Sequence, residues 1–137
     1  MTLVDTNVLL DVMTNDPRWA AWSIQQLDAA SLRGPLVIND IVYAECSVRF
    51  ATIERLDESL NAAGLPIRPI PRAALFLAAK AFARYRASGG TRSGVLPDFF
   101  IGAQAAVESL TLLTRDAGRY RTYFPTLNMI APYTDQH

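Results

Sequence analysis

The sequence is poor in the residues that mark several protein classes. Its 137 residues include one cysteine (Cys46), one histidine (His137) and one lysine (Lys80). A single cysteine cannot form an internal disulfide, so nothing in the cysteine count points to a secreted scaffold or a zinc site. The cysteine usage therefore favours a reducing cytoplasm as the location.

Long apolar runs and targeting signals are also missing. No stretch approaches the roughly 18 apolar residues of a membrane span. The first residues, Met1–Asp5, carry an acid where a signal peptide needs a basic and then an apolar run. Half of the residues are hydrophobic and 19% are charged, which is typical of globular chains. We therefore expect one soluble, cytoplasmic domain over residues 1–137, without a membrane partner.

Acidic residues are absent from one long segment. The net charge is zero, but residues 59–97 contain no Asp or Glu and hold six basic residues, Arg68, Arg72, Lys80, Arg84, Arg86 and Arg92. Twelve of the 13 basic residues are arginine, whose planar guanidinium suits bidentate contact with phosphate. Because binding depends on local rather than total charge, this segment favours a nucleic-acid partner. The alternative is an ordinary solvated helix face.

Short apolar segments alternate with helical ones along the chain. We predict strands at 2–4, 35–38, 111–114 and 127–130, an extended segment at 67–71, and helices at 7–13, 17–33, 40–48, 52–63, 72–87 and 98–109, with a short helical turn after Asp116. This alternation is typical of a parallel sheet with helices on both faces. The predicted fold is a three-layer α/β/α sandwich.

Four acidic residues fall where such a fold binds ligands, outside the carboxyl ends of the strands. Asp5 directly follows the first strand, and Asp116 comes two residues after Thr114 at the end of a later strand. Asp98 opens a helix after a glycine-rich loop. Glu45 lies about two turns into a helix, and its longer side chain can reach back toward the same edge. We therefore expect the four carboxylates to converge.

Convergence of four carboxylates indicates a divalent cation, because crowded like charges are unfavourable without one. Oxygen ligands suit Mg²⁺ or Mn²⁺ rather than zinc. Such a site can activate water and bind the oxygens of a phosphodiester. Three of the acids also have a simpler interpretation: Asp98 as a helix cap, Asp116 as a turn residue and Glu45 as part of a solvated face.

The same acids lie within four recognisable segments. These are 4–11 (VDTNVLLD), 42–45 (VYAE), 96–105 (LPDFFIGAQA) and 112–116 (LLTRD). In order and interval they resemble the motifs of the PIN domain, and within it the VapC-type ribonuclease toxins of bacterial toxin–antitoxin pairs. The resemblance covers essentially the whole chain.

The resemblance implies a Mg²⁺- or Mn²⁺-dependent endoribonuclease that leaves 5′-phosphate and 3′-hydroxyl ends. It also implies a parallel sheet of about five strands, a homodimer, and inhibition by a small antitoxin protein. Asp5, Glu45, Asp98 and Asp116 match the acidic quartet that binds the metal and carries out catalysis.

The resemblance further assigns supporting residues. Thr6, Asn7 and Thr114 match polar positions that orient carboxylates or bound water. Arg92, with Arg84 and Arg86, precedes the third acid and is expected to contact RNA. The alternative for Arg92 is a surface arginine or one that pairs with an antitoxin carboxylate.

Other enzymes on similar sheets fit less well. A haloacid-dehalogenase-type phosphatase needs a second aspartate where Asn7 stands, and a receiver domain needs a lysine near its end, whereas the only lysine is Lys80. A dinucleotide-binding fold needs a glycine-rich turn after the first strand, but the first glycine is Gly34. Two alternatives stay open: a PIN-like module that binds RNA or protein without cleaving it, and an RNA-processing nuclease that is not a toxin.

Overall fold

The strands form one parallel sheet in the order β2-β1-β3-β4. The computed structural model describes residues 1–132; the last five residues of the predicted domain, 133–137, lie outside the described residues. The strands are β1 (Thr2–Val4), β2 (Leu36–Val37), β3 (Thr111–Leu113) and β4 (Met129–Ile130). The helices are α1 (Thr6–Met13), α2 (Ala20–Arg33), α3 (Asp40–Ser47), α4 (Ile53–Ala63), α5 (Arg72–Ala87), α6 (Leu96–Val107) and α7 (Gly118–Arg121), with a 3₁₀ turn at Ser93–Val95.

The predicted parallel α/β sheet is confirmed, with four strands and one further pairing. Beyond the end of β2, Ile38 forms a parallel bridge with Ile67, and the backbone N–H of Arg68 donates to the carbonyl of Ile38 at 2.7 Å. The extended segment predicted at 67–71 therefore begins beside the sheet, where a fifth strand would lie. The prolines at 69 and 71 have no N–H to donate, which prevents a longer ladder.

Both faces of the sheet are covered. All three residues of β1 are buried, and Leu112 and Leu113 of β3 are fully buried. Because successive strand residues point to opposite faces, burial of consecutive residues requires packing on both sides. This agrees with the predicted three layers. Within residues 1–132, no helix combines the length and apolar character that crossing a membrane requires.

Two predicted helix starts are wrong. The predicted helix at 17–33 begins at Ala20, because the Asp16 carboxylate accepts hydrogen bonds from the N–H groups of Arg18 and Trp19 and holds a turn there. The helix predicted from Asp98 begins at Leu96, with Pro97 in its first turn, where a missing N–H costs nothing. Asp98 therefore lies inside the first turn of α6 and does not cap it.

The pairing of β1 with β3 positions the acids. Leu3 pairs with Leu112 and Val4 with Leu113, and the N–H of Asp5 donates to the carbonyl of Leu113 at 2.9 Å. The residues after both strands therefore leave the sheet at the same edge, side by side.

Candidate active site

Asp5 is a buried carboxylate held by three hydrogen bonds. It is 2% exposed. Its Oδ1 accepts from the N–H of Thr6 at 2.7 Å, and its Oδ2 accepts from the hydroxyls of Thr114 at 2.8 Å and Tyr120 at 2.7 Å. Burial raises the pKa of Asp5, and the three hydrogen bonds oppose that rise by stabilising the ionised form. The carboxylate is therefore fixed in one orientation at the end of β1.

Thr114 joins the two strand ends. Besides donating to Asp5, its hydroxyl accepts from the N–H of Asp116 at 3.0 Å and from the side-chain amide of Asn7 at 3.4 Å. The Asn7 carbonyl oxygen in turn accepts from the N–H of Arg115 at 3.1 Å. Asn7 and Thr114 thus make the kind of orienting contact predicted for them, although their effect on activity stays a prediction.

Glu45 joins the site through Thr6. The Thr6 hydroxyl donates to Glu45 Oε1 at 2.6 Å, which links the start of α1 to α3. Glu45 is half-buried, and its charge raises the pKa of Asp98. The sequence left open that Glu45 belongs to a solvated helix face. The hydrogen bond with Thr6 shows that its carboxylate is not only solvated.

Asp98 is close enough to the other three acids to be affected by their charges. Burial is the main reason that the pKa of Asp98 rises to about 6, and the carboxylates of Asp5, Glu45 and Asp116 raise it further. Arg119 opposes the rise. Asp98 is therefore within electrostatic range of each of the other three predicted acids.

Arg119 is a site residue that the sequence analysis missed. Its Nε lies 2.8 Å from Asp116 Oδ2, and its Nη1 lies 3.7 Å from Asp98 Oδ1. The guanidinium is a cation among the carboxylates and offsets part of their repulsion. The only signal in the sequence was the spacing of three residues from Asp116, which places the two on one side of a helical turn.

Tyr120 was missed as well. It is fully buried on α7, and its hydroxyl donates to Asp5. Burial raises the pKa of Tyr120 well above its usual value, so the hydroxyl keeps its proton and remains a donor. Nothing in the local sequence distinguishes this tyrosine from its neighbour Tyr123.

Asp11, the last acid of the first motif, faces away from the quartet. It is 2% exposed, and its Oδ2 accepts from Arg115 Nε at 2.8 Å and from the Ser23 hydroxyl at 2.9 Å. These contacts tie α1 to α2 and to the residues after β3. Asp11 therefore has a structural role, which is to hold these segments together.

One of the three arginines predicted to contact RNA lies beside the acids. Arg92 lines a cavity with Asp98 and Arg119. The guanidinium of Arg84 lies 6.0 Å from the ring centre of Tyr123, and that of Arg86 lies 5.9 Å from the ring centre of Phe82. Only Arg92 therefore borders the acidic edge directly.

The four carboxylates fit a divalent cation in chemical type and in charge. They are hard oxygen donors, and their mutual repulsion is the condition that a Mg²⁺ or Mn²⁺ ion relieves. Within residues 1–132, however, no three acidic, histidine or cysteine side chains lie close enough together to bind one ion. Arg119 contacts two of the four in the present arrangement.

The fold and sequence are similar to those of known proteins. A comparison with curated proteins gives no match. Similar solved structures include VapBC2 from Rickettsia felis bound to a promoter DNA fragment (TM-score 0.71, 18% identity, 95% of this chain and 97% of that chain) and DNA-bound VapBC from Salmonella typhimurium (0.69, 16%, 95% and 96%). A toxin–antitoxin complex from Klebsiella pneumoniae is also similar (0.62, 23%, 97% and 98%). The sequence model of the PIN domain family matches residues 2–125, and the chain therefore belongs to the PIN domain family.

Proposed function

We propose that this protein is a metal-dependent endoribonuclease that hydrolyses phosphodiester bonds of RNA. The observation that carries the proposal is that shared partners join the four acids near the carboxyl ends of the parallel strands. Thr6 contacts Asp5 and Glu45, Thr114 contacts Asp5 and Asp116, and Arg119 contacts Asp98 and Asp116. Carboxylates held close together are unfavourable for folding, and a bound cation would offset that cost.

In this proposal Asp5, Glu45, Asp98 and Asp116 hold the metal, Mg²⁺ or Mn²⁺. When bound, the metal supplies a Lewis acid that polarises the phosphate and lowers the pKa of water. The hydrogen bonds from Thr6 to Glu45 and from Thr114 to Asp5 keep both carboxylates oriented without help from solvent.

The arginines in this proposal act on the RNA and on the acids. Arg92, at the border of the acidic edge, binds an RNA phosphate. Arg119 contacts Asp98 and Asp116, so a cation held by these carboxylates would compete with its guanidinium.

One observation favours a second candidate, a PIN module that binds RNA without cleaving it. Arg119 already neutralises part of the cluster, and no three acids are placed for an ion within residues 1–132. An arginine that stayed in place would give an anion-binding surface without a metal. The RNA cleavage experiment described next separates the nuclease from the binding module.

The test is cleavage of labelled total RNA by the purified chain in Mg²⁺, Mn²⁺ or EDTA. Asp5→Asn removes the buried charge and keeps the side-chain size, so it should abolish cleavage. Asp28→Asn makes the same chemical change at an exposed position on α2 and should cleave normally. Cleavage that EDTA stops and Asp5→Asn lacks supports the nuclease. Folded, partner-free protein that binds RNA and never cleaves it supports the binding module.

We further propose that the protein is the toxin of a toxin–antitoxin pair, with a small antitoxin protein as its partner. The support is the similarity of this chain to a protein of the Klebsiella pneumoniae toxin–antitoxin complex. Induced expression in a bacterial host should then arrest growth, whereas Asp5→Asn at the same protein level should not. Growth unaffected by an active nuclease would favour an RNA-processing enzyme instead.

The homodimer and the cytoplasmic location stay predictions. Light scattering of the purified chain tests the homodimer.

A further inference from the structure

Tyr120 is a buried tyrosine in direct contact with one of the four acids. Its side chain is fully buried, and its hydroxyl donates to Asp5 Oδ2 at 2.7 Å. An ionised carboxylate can only accept hydrogen bonds, so the tyrosine supplies the proton of this contact. A buried hydroxyl without a partner is costly, so the hydroxyl is held to Asp5 as long as the core is folded.

The ring of Tyr120 packs against α6. A Cβ atom at Gly102 would lie 3.0 Å from Tyr120 Cδ1 and 2.6 Å from the Phe124 ring. Glycine at position 102 therefore lets α6 approach α7 closely enough for both rings to pack against it. The Tyr120 ring cannot swing away without opening this contact, so packing fixes the position of its hydroxyl.

The two oxygens of Asp5 are used unequally. A carboxylate has about four lone-pair positions, which are divided equally between its oxygens. Oδ2 accepts from Tyr120 and from the Thr114 hydroxyl at 2.8 Å, so both of its positions are filled. Within residues 1–132, Oδ1 accepts one hydrogen bond, from the N–H of Thr6 at 2.7 Å. A cation that reaches Asp5 therefore finds its free position on Oδ1.

The Thr114 hydroxyl cannot turn away from Asp5 to free the other oxygen. A hydroxyl has one proton to donate and two lone pairs that accept. The Thr114 oxygen accepts from the N–H of Asp116 at 3.0 Å and from the side-chain amide of Asn7 at 3.4 Å, which leaves its proton for Asp5. Of the two donors to Oδ2, Tyr120 is therefore the one that can be removed without disturbing these other contacts.

We propose that Tyr120 is a positioning residue that makes Asp5 a one-oxygen ligand and thereby selects Mg²⁺ or Mn²⁺ over Ca²⁺. Mg²⁺ requires near-ideal octahedral geometry, and the oxygens of one carboxylate lie too close together to fill two octahedral positions. Ca²⁺ has flexible geometry and often takes both oxygens of a carboxylate. A carboxylate whose second oxygen is occupied by Tyr120 therefore suits the smaller cation. This inference rests on the proposed function and specifies the cation selectivity of its site.

The test is the ratio of Ca²⁺ to Mg²⁺ affinity. Electron paramagnetic resonance of free Mn²⁺ measures how much Ca²⁺ or Mg²⁺ is needed to displace bound Mn²⁺. Tyr120→Phe removes the hydroxyl, keeps the buried ring and frees Asp5 Oδ2, so the ratio should rise about tenfold. A variant that merely loosened the fold would weaken both cations alike and leave the ratio unchanged. Tyr123→Phe, the same change at a half-buried tyrosine that does not contact Asp5, should keep the wild-type ratio.

Infrared spectroscopy reads the coordination of the carboxylate directly. The two stretching bands of a carboxylate are further apart when one oxygen binds a cation than when both do. With ¹³C-labelled aspartate, wild type should show widely separated bands in Mg²⁺ and in Ca²⁺. Tyr120→Phe in Ca²⁺ should add a closely spaced pair, which belongs to Asp5 because Asp5 is the acid that Tyr120 contacts.

A wild-type affinity ratio in Tyr120→Phe would overturn the assignment of Tyr120, and so would a closely spaced pair of equal strength in wild type and variant. The nuclease proposal would still stand in either case if metal-dependent cleavage were lost in Asp5→Asn. Wild-type protein that binds none of the three cations would refute both proposals.

Discussion

The guanidinium of Arg119 lies against the carboxylate of Asp116, with 2.8 Å between Nε and Oδ2. The same group reaches to 3.7 Å from Asp98. A positively charged side chain of the chain itself thus lies where a metal cation is expected to act. If the four acids bind a cation as proposed, Arg119 competes with that cation for two of them.

Arg119→Gln should therefore tighten binding of Mn²⁺ to the protein. Arg119 is half exposed, so its contacts are screened by water, and we expect a modest gain of about two- to fivefold in affinity. Isothermal titration calorimetry with Mn²⁺ measures it. Arg121→Gln, on the same short helix but not paired with the acids, is the matched control. Unchanged or weaker Mn²⁺ binding by Arg119→Gln would mean that Arg119 does not compete.

Asp98 should make the stability of the metal-free protein depend on pH. Its pKa is raised from 3.8 to about 6, so its contribution to stability is fully present below about pH 3.8 and is lost as the pH rises through about 6. Asn stays uncharged at every pH, so Asp98→Asn should not lose this stability. Its free energy of unfolding at pH 7.5 should therefore be higher than that of wild type. The full shift would correspond to about 3 kcal/mol, and partial exposure and the contact with Arg119 reduce our expectation to about 1 kcal/mol.

Urea unfolding in EDTA at pH 5 and pH 7.5 checks the prediction for Asp98. The gain of Asp98→Asn over wild type should be larger at the higher pH. Asp28→Asn, at an exposed position, should behave like wild type at both. A variant less stable than wild type at pH 7.5 would show that Asp98 is mainly a structural partner of Arg119.

Thr114→Val should weaken both stability and cleavage. The change keeps a β-branched side chain but leaves Asp5 without one donor and the N–H of Asp116 without its acceptor. We expect a loss of about 1–3 kcal/mol in the free energy of unfolding and of about 10- to 100-fold in cleavage rate. Thr111→Val, at the other end of the same strand, is the control. Cleavage at the wild-type rate by Thr114→Val would remove Thr114 from the site.

Arg92→Ala should weaken RNA binding and reduce its dependence on salt. Each phosphate contact releases bound counterions, so losing one contact should lower the slope of log affinity against log salt by about 1. Anisotropy titrations at several salt concentrations measure the slope. Arg33→Ala, which removes an arginine from the exposed end of α2, should leave it unchanged. An unaltered slope for Arg92→Ala would support the alternative that Arg92 is a surface arginine or an antitoxin contact.

Sequence alone was sufficient to predict the alternation of strands and helices, whereas the metal site of the four acids stays a prediction. An acid directly after a buried strand, as at Asp5, has its position fixed by the strand that precedes it. Parallel strands end at a common edge, so Asp5 and Asp116 were expected together. The end of α4 was also predictable, because Gly64 adopts the left-handed conformation with φ of 70° that favours glycine.

Tertiary structure alone decided which other side chains complete the site. Arg119 and Tyr120 reach the acids because the short helix α7 packs against α6, a placement that no local pattern encodes. The cavity that Arg92 lines likewise combines Tyr85 of α5, Phe99 of α6 and Tyr123 beyond α7. Periodicity and spacing specify which residues share a strand end or a helix face, since both depend on neighbours in the chain. Contacts between distant segments depend on how whole elements pack, and only the folded structure determines that.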